Sequence, residues 1–427
     1  MKWQRLRDEV NRKGGNGGAF VAAMKEQYAI HSNKVLVWLA ELYDPNIGGF
    51  YYSNSARDNE TVLYKDKVYK LLPDIESTNQ ALGFLESCGF YEEGDYTRLP
   101  EEMQKKIAEY VCSLEDPEDG FFYHPQWGKE ITDNRRGRDH MWANEIRSNL
   151  HFEFPYPSAE ERLAKISDCI SNGEEISYDF PDHLKSKEAL IDYLNGLDWN
   201  TRAYYAGNMI AAQVSVIKAA GLDGIVIDYL NRIQNKENGM WGTLGGYDAV
   251  NAHMKISCFY ESSGNVIPNA EKSVDTILET LCSDTPTNTV CWQYNTWFSI
   301  QNILKNLRKF GGSEGNAAAD EIVKKVIARA DEGVRANIWK VKRFMKPDGS
   351  CSYTPTESSC TSQGAIVSIP HTDEGDVNAT CINIFGTINR MYLAAELGDF
   401  IVPMFDDEDY ELFLDAMEKA KVKYYAK

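Results

Sequence analysis

Four absences narrow the field before any motif is read. There is no Lys/Arg-rich run. The 45 basic residues stand against 64 acidic ones, a formal charge of −19, which speaks against nucleic acid as a partner. No apolar stretch approaches the roughly 20 residues of a membrane-spanning helix, so no membrane partner is expected. The opening residues 1–9 lack the apolar core of a signal peptide, which makes the cytoplasm the expected address. No Cys-x-x-Cys and no Cys/His cluster of zinc spacing occurs among Cys88, Cys112, Cys169, Cys258, Cys282, Cys291, Cys351, Cys360 and Cys381. Free, mostly buried thiols in a reducing compartment are expected, with no metal and no cofactor. No Pro/Ser/Gly-rich linker divides the chain. The glycine-rich segment at 14–18 reads as a short flexible joint.

What is there is helix. Met103, Ile107, Tyr110, Val111 and Leu114 fall on one helical face, as do Ile225, Tyr229, Leu230 and Ile233. Val274, Ile277, Leu278 and Leu281 repeat the pattern, and so do Ile322, Val323, Val326 and Ile327. More apolar helices lie between these, one carrying Tyr205, Met209, Ala212 and Val216, another Cys381, Ile384, Phe385 and Ile388. Turns with glycine and an aromatic recur at 46–52, 118–123, 237–242 and 347–353, their glycines at Gly49, Gly120, Gly239 and Gly349. A unit of roughly 60 residues accommodates these gaps if weaker units lie near 180–200 and 285–295. The helix starts also echo one another: Asp74-Ile-Glu-Ser-Thr78 resembles Asp376-Val-Asn-Ala-Thr380, with a looser copy at 248–253. The pattern predicts an all-α (α/α)6 toroid of six hairpins over residues 30–400. A helical segment at 1–29 precedes it and a helical tail at 401–427 follows.

The run from Tyr229 through Gln234 to Asn238-Gly-Met-Trp241 resembles the Gln…Gly-x-Trp repeat of terpenoid cyclases and protein prenyltransferase β subunits, with one extra residue between Gln and Gly. Asp119-Gly-Phe and Asp348-Gly-Ser look like degenerate copies. The resemblance implies a helical toroid, an architecture that polysaccharide lyases and glycosidases share. Class II cyclases protonate an alkene through Asp-x-Asp-Asp, usually followed by Thr. Asp74-Ile-Glu-Ser-Thr78 keeps the first acid and the Thr, with Glu76 at the third position and Ser77 at the fourth. The Asp-x-Cys zinc motif of prenyltransferases is missing, and His371 with Asp373 supplies too few ligands for a metal.

In a toroid the chemistry gathers at the starts of the inner helices. The residues there are acids, amides and rings together, as in a carbohydrate cleft. The main expectation is therefore cleavage of a glycosidic bond in a uronic-acid-containing oligosaccharide by β-elimination. Asn251 and Arg202 would hold the carboxylate, His253 or His140 would be the base, and Tyr294 the acid. Trp142, Asn144, Tyr205, Asn208, Trp241, Gln293, Trp297, His371 and Asp373 would bind the substrate. Arg135-Arg-Gly-Arg138 reads as a basic island suited to an anionic sugar. Hydrolysis would instead draw an acid/base pair from Asp74, Glu76, Asp248 and Asp376. Isoprenoid cyclisation on the same scaffold is the alternative from another class, and a toroid that only binds a glycan or a protein is the third.

Overall fold

The computed structural model describes residues 2–157, 182–184 and 186–426. Cys169 and the side chain of Val216 lie outside the described residues. The chain is all-α. Helices carry it, and strand structure among the described residues amounts to three two-stranded antiparallel hairpins, Tyr43–Asp44 with Gly49–Phe50, Thr61–Tyr64 with Lys67–Lys70, and Thr361–Ser362 with Ala365–Ile366. No helix among the described residues is long and apolar enough to cross a membrane.

The chain divides into two compact units, each drawn from three stretches. The first comprises Met1–Ile30, Tyr178–Arg343 and Gly386–Val402, and the second His31–Ser177, Phe344–Phe385 and Pro403–Lys427. Residues 30–400, read from the sequence as one ring, are thus shared between two units.

In the first unit the helices Ala203–Ala212, Gly246–Ser263, Val290–Phe310 and Gly312–Lys342 pack in succession. The faces expected from periodicity are the buried ones: Val274, Ile277, Leu278 and Leu281 on Ala270–Cys282, and Ile322, Val323, Val326 and Ile327 on Gly312–Lys342. The glycine-rich segment before Gly17–Ala29 is a packed corner rather than a loose joint. Asn16 caps the helix by accepting from the Ala19 N–H, and a Cβ at Gly17 would stand 2.1 Å from the Arg7 carbonyl oxygen.

In the second unit the helices Ile75–Ser87 and Glu101–Ser113 each pack on Asp133–Leu150, with Val377–Cys381 against the first of them. Lys34–Glu41 packs on Asp407–Tyr424. The acidic run at 406–411 is the start of that last helix. Asp406 and Asp409 form a reciprocal capping box, and the acids sit at the positive end of the helix dipole.

One turn recurs in both units. Gly48 donates its N–H to the Asp44 carbonyl, Gly120 to Asp116 and Gly239 to Asn235, at 2.7, 2.9 and 2.8 Å. Each of these glycines has positive φ. The first repeat is therefore registered on Gly48, one residue before the glycine expected. Space enforces the choice as well as φ: a Cβ at Gly48 would stand 2.1 Å from the Lys106 carbonyl oxygen, and one at Gly239 2.3 Å from the Ser273 hydroxyl. The Gln…Gly-x-Trp motif locks this turn in the first unit. Gln234 Nε2 donates to the Gly239 carbonyl (2.8 Å) and to that of Pro268 (3.0 Å), while Trp241 Nε1 donates to the Leu230 carbonyl (3.0 Å). Its residues are consumed in holding the turn.

Candidate active site

The two echoing segments of the second unit build the same clasp. Asp74 and Asp376 are N-caps, accepting from the Ser77 N–H (3.1 Å) and the Ala379 N–H (2.7 Å), an arrangement that stabilises a helix start by about 1 kcal/mol. The threonines tie each start to the turn before it. Thr78 Oγ1 accepts from the Phe50 N–H at 3.0 Å, and Thr380 Oγ1 from the Cys351 N–H at 2.9 Å. The turns return the bond: Phe50 O accepts from Asp74 N–H and Cys351 O from Asp376 N–H.

A third helix start carries the countercharge. Thr132 caps Asp133–Leu150 by accepting from the Arg135 N–H. One turn in, Arg135 and Asp139 share a face. The Arg135 guanidinium is fully buried. Its Nε donates to Asp139 Oδ2 (3.0 Å), its Nη2 donates to Asp74 Oδ1 (2.8 Å), and its Nη1 lies 3.3 Å from Glu76 Oε2. The plane stands over the Trp127 ring, 4.5 Å from its centroid. The basic island expected on a surface loop is therefore, at Arg135, the hub of an ion cluster. Arg138 donates to Glu76 Oε1, and Ser362 Oγ donates to Glu76 Oε2 at 2.6 Å. The Ser77 hydroxyl adds a further bond to Asp74 at 2.6 Å.

Asp376 differs from the other acids. It is fully buried and accepts from two backbone groups, the N–H of Ala379 and that of Ser359 (3.2 Å). The Tyr52 hydroxyl lies beside it. That hydroxyl is buried and has no partner in hydrogen-bonding geometry, and Asp139 Oδ1 is buried and unpartnered too. The three carboxyls Asp74, Glu76 and Asp139 share two guanidinium groups, Arg135 and Arg138, and Asp376 stands outside these ion pairs. The excess shows in the acids. Burial pushes Asp376 up to about 7 against the pull of its backbone donors. Burial likewise pushes Asp139 up to about 7, opposed by Arg135 and reinforced by Asp74 and Glu76. Burial thus moves Asp139 and Asp376 towards the neutral form relative to an ordinary carboxyl. Tyr52 and Trp127 belong to an apolar cluster with Val62, Leu71, Ala365, Ile366 and Val367. His124 lies below, buried and lowered to about 4 by burial, with its Nε2 at the Pro73 carbonyl and 3.0 Å from the Tyr110 hydroxyl.

The other expected residues are drawn from both units. Asn251, His253, Tyr294, Arg202, Asp248, Tyr205, Asn208, Trp241, Gln293 and Trp297 belong to the first unit, whereas His140, Trp142, Asn144, His371 and Asp373 belong to the second. His253 is fully buried against Trp241, both ring nitrogens lack a partner, and burial lowers it to about 4. It is a packed ring and cannot reach a polymer. Asn251 accepts from Asn295 (2.9 Å), and Gln293 from the Tyr247 hydroxyl (3.1 Å). Tyr294 faces Arg390, which donates to its hydroxyl at 3.5 Å. Arg202 is exposed, stacked over Tyr205, and Asp248 is exposed. Trp297 is buried in the core. His140 packs edge-on against Phe121, and Asn144 is occupied with the His140 ring and carbonyl. Trp142 lies under Arg138. His371 is exposed beside Glu357 (3.2 Å), and Asp373 pairs with Lys346, so these two do not form a joint site.

Sequence reasoning passed over Tyr52 and Ser362, and it placed Arg135 on the wrong kind of surface. The i, i+4 pairing of Arg135 with Asp139 behind a Thr cap was the available signal. Tyr52 and Ser362 come from distant segments and left none.

No family model and no curated protein matches the chain. Among solved structures it is similar to the type II terpene cyclase MstE from Scytonema in its apo form, with 13% identity, 87% of this chain and 99% of that one covered, and a TM-score of 0.37. It is also similar to a single-residue variant of that enzyme, with 12% identity, 92% and 99% covered, and a TM-score of 0.35. Both are terpene cyclases, which corresponds to the alternative reading of the sequence. The expectation of glycosidic-bond cleavage by lyase or hydrolase chemistry is withdrawn, since the solved structures found are terpene cyclases.

Proposed function

We propose that the chain is an isoprenoid cyclase that starts its reaction by protonating a carbon–carbon double bond. The observation that carries this reading is the buried excess of carboxyl over guanidinium groups in the second unit. Alkene protonation needs a neutral acid in a water-poor site, because water would compete for both the proton and the cation. Two acids raised towards neutrality beside an aromatic and aliphatic cluster meet that need. Asp74 and Glu76 are the acids that the segment 74–78 shares with the class II cyclase motif. Here they accept from arginines and hydroxyls.

The test is incubation of the protein in D2O with linear fifteen-, twenty- and thirty-carbon polyprenes, as alcohols and as diphosphates, followed by mass spectrometry. The expected product is a cyclic isomer of one substrate carrying one added deuterium at the protonated carbon. Recovery of every substrate unchanged, or a product free of deuterium, would sink the reading.

A further inference from the structure

We propose that Arg390, Tyr294 and Gln301 of the first unit form a binding site for the carboxylate of an organic acid whose apolar body lies beside Phe298. The site goes beyond the cyclase reading and does not depend on it. Two helices of one unit build it. Tyr294, Phe298 and Gln301 follow at i, i+4 and i+7 on Val290–Phe310, which places them in one stripe. Arg390 reaches that stripe from Thr387–Leu393, which packs on the same helix. All four residues are half-buried and keep access to solvent.

The company Arg390 keeps sets it apart. Acids outnumber bases in this chain by 64 to 45, and carboxylates are in easy reach of most arginines. Arg57, Arg138, Arg147, Arg308 and Arg329 are half-buried too, and each meets one. Arg390 meets none among the described residues. Its guanidinium stands 4.2 Å from the centroid of Phe298 and 5.7 Å from that of Tyr294. Its bonds go to neutral groups, Nη1 to Gln301 Oε1 and Nη2 to the Tyr294 hydroxyl at 3.5 Å. A charge drawn partly out of water is costly unless an opposite charge meets it. In so acidic a chain, a guanidinium kept clear of every carboxylate points to a ligand that brings its own acid.

The bonds already made fix what is left to offer. The Arg390 Nε–H has no partner among the described residues, and the Nη2 contact is long, so the Nε/Nη2 edge of the fork is open. The Gln301 oxygen faces Nη1, which leaves its NH2 group as a donor. The Tyr294 oxygen accepts from Nη2, which leaves its O–H to donate. The cluster thus presents donors and a single positive charge. A carboxylate is acceptor-only, carries one charge, and matches one edge of the fork with its two oxygens. An alcohol would leave its own proton unplaced, and a diphosphate would bring several charges to one cation.

The rings supply the rest of the recognition. The stack on Phe298 holds the guanidinium plane in place, which reduces what a ligand must order on binding. Tyr294 and Phe298 stand with centroids 5.3 Å apart, and their half-exposed edges beside the fork favour an acid with a hydrocarbon or ring body over a bare carboxylate.

Titration calorimetry on the full chain tests this with two matched series. One is benzoate against benzyl alcohol and acetate. The other is a linear fifteen-carbon isoprenoid carboxylic acid against the alcohol and the diphosphate of the same length. At least one of the two acids should bind saturably with Kd of about 1 mM or below, and about tenfold or more tighter than its alcohol. R390M keeps a stem on Phe298 and removes the fork. It should fold by circular dichroism and weaken the acid about tenfold or more. R390K keeps the charge without the fork and should recover only part of that loss. Y294F should weaken the acid about threefold. No saturation by either acid up to about 5 mM overturns the inference, as does equal binding of acid and alcohol, or a folded R390M that binds like the unaltered protein. A diphosphate that binds tighter than the acid overturns it too. Should R390M unfold, R390K decides: undiminished affinity overturns the fork. The deuterium assay judges the cyclase reading separately.

Discussion

The two units share a turn and bury different things behind it. In the first, the glycine turn is closed by Gln234 and Trp241, and the helix starts that follow present amides and rings, Asn251 to Asn295 and Tyr247 to Gln293. In the second, the helix starts present three carboxyls paired with two arginines. These two pairs join neutral side chains, each contributing about 1 kcal/mol, and the buried Lys340 donates to the Tyr247 hydroxyl beside them. The second unit's are ions removed from water, a costly arrangement that contributes little net stability when paired and much instability when broken. The lesson is that the scaffold sets where side chains converge and the residue types decide whether the convergence can do chemistry.

The sharpest way to break this contrast is at Arg135. Its replacement by Met leaves Asp74, Glu76 and Asp139 without their shared cation. Urea denaturation should show a loss of about 3–5 kcal/mol, and a loss below about 1 kcal/mol would mean the cluster is not the electrostatic hub described here.

The matching cut in the first unit is Gln234→Ala. It strips one of two side-chain donors from the buried Gly239 carbonyl, which keeps Ser273, and the Gln234 donor from that of Pro268. The expected cost is about 1–3 kcal/mol, read from the same denaturation curve, with no change in the deuterium assay beyond what the lost stability explains.

Acid should treat the units in opposite ways. His253 in the first unit is held near 4, below its ordinary value near 6.5. Its contribution is fully present above pH 6.5 and is lost as pH falls towards 4. Asp139 and Asp376 in the second unit are raised to about 7 from the ordinary 3.8. The folded state then binds more protons across that window, so their effect is destabilising at pH 7 and relieved as pH falls. His124 and His31, lowered by burial to about 4 and about 3, oppose them, while Glu86 and Glu145, raised by burial, add to their side. Amide exchange, corrected for intrinsic rate, should show protection of Gly246–Ser263 falling between pH 7 and pH 5 while that of Asp133–Leu150 holds or rises. Equal losses in both helices would refute the contrast.

The smallest expected effect is at His253 itself. A ring with two unpartnered nitrogens gives up little when replaced by Phe. The melting temperature at pH 7 should move by the equivalent of about 1 kcal/mol or less, and the variant should lose part of the first unit's acid sensitivity. A large loss at pH 7 would reveal a bond to His253 that the packing does not show.

Much of this was legible in the chain. The periodicities at 103–114, 274–281 and 322–327 mark buried faces, and the echo between 74–78 and 376–380 marks two helix starts built alike, because caps and apolar stripes are local devices. The acids at those starts were legible for the same reason. The division into two units was not, since the chain passes between them five times without a change in composition. Arg135 was misread because a cluster of arginines looks like surface until the carboxyls that bury it are placed, and Asp74 lies 61 residues away. Ser362 reaches Glu76 across 286 residues, a contact that only tertiary structure makes. The amides and rings of the first unit were read as a sugar site because residue type alone does not separate a satisfied core from a cleft.

The account's central claim is that the second unit holds a proton on a buried carboxyl at neutral pH. Carbon-13 labelling of the aspartate carboxyls, followed by nuclear magnetic resonance across pH 3–9, tests it most directly. The account predicts carboxyl resonances titrating near pH 7, one of them absent in D376N. If every aspartate completes its titration below about pH 5, the stored proton does not exist and the cyclase reading loses its foundation.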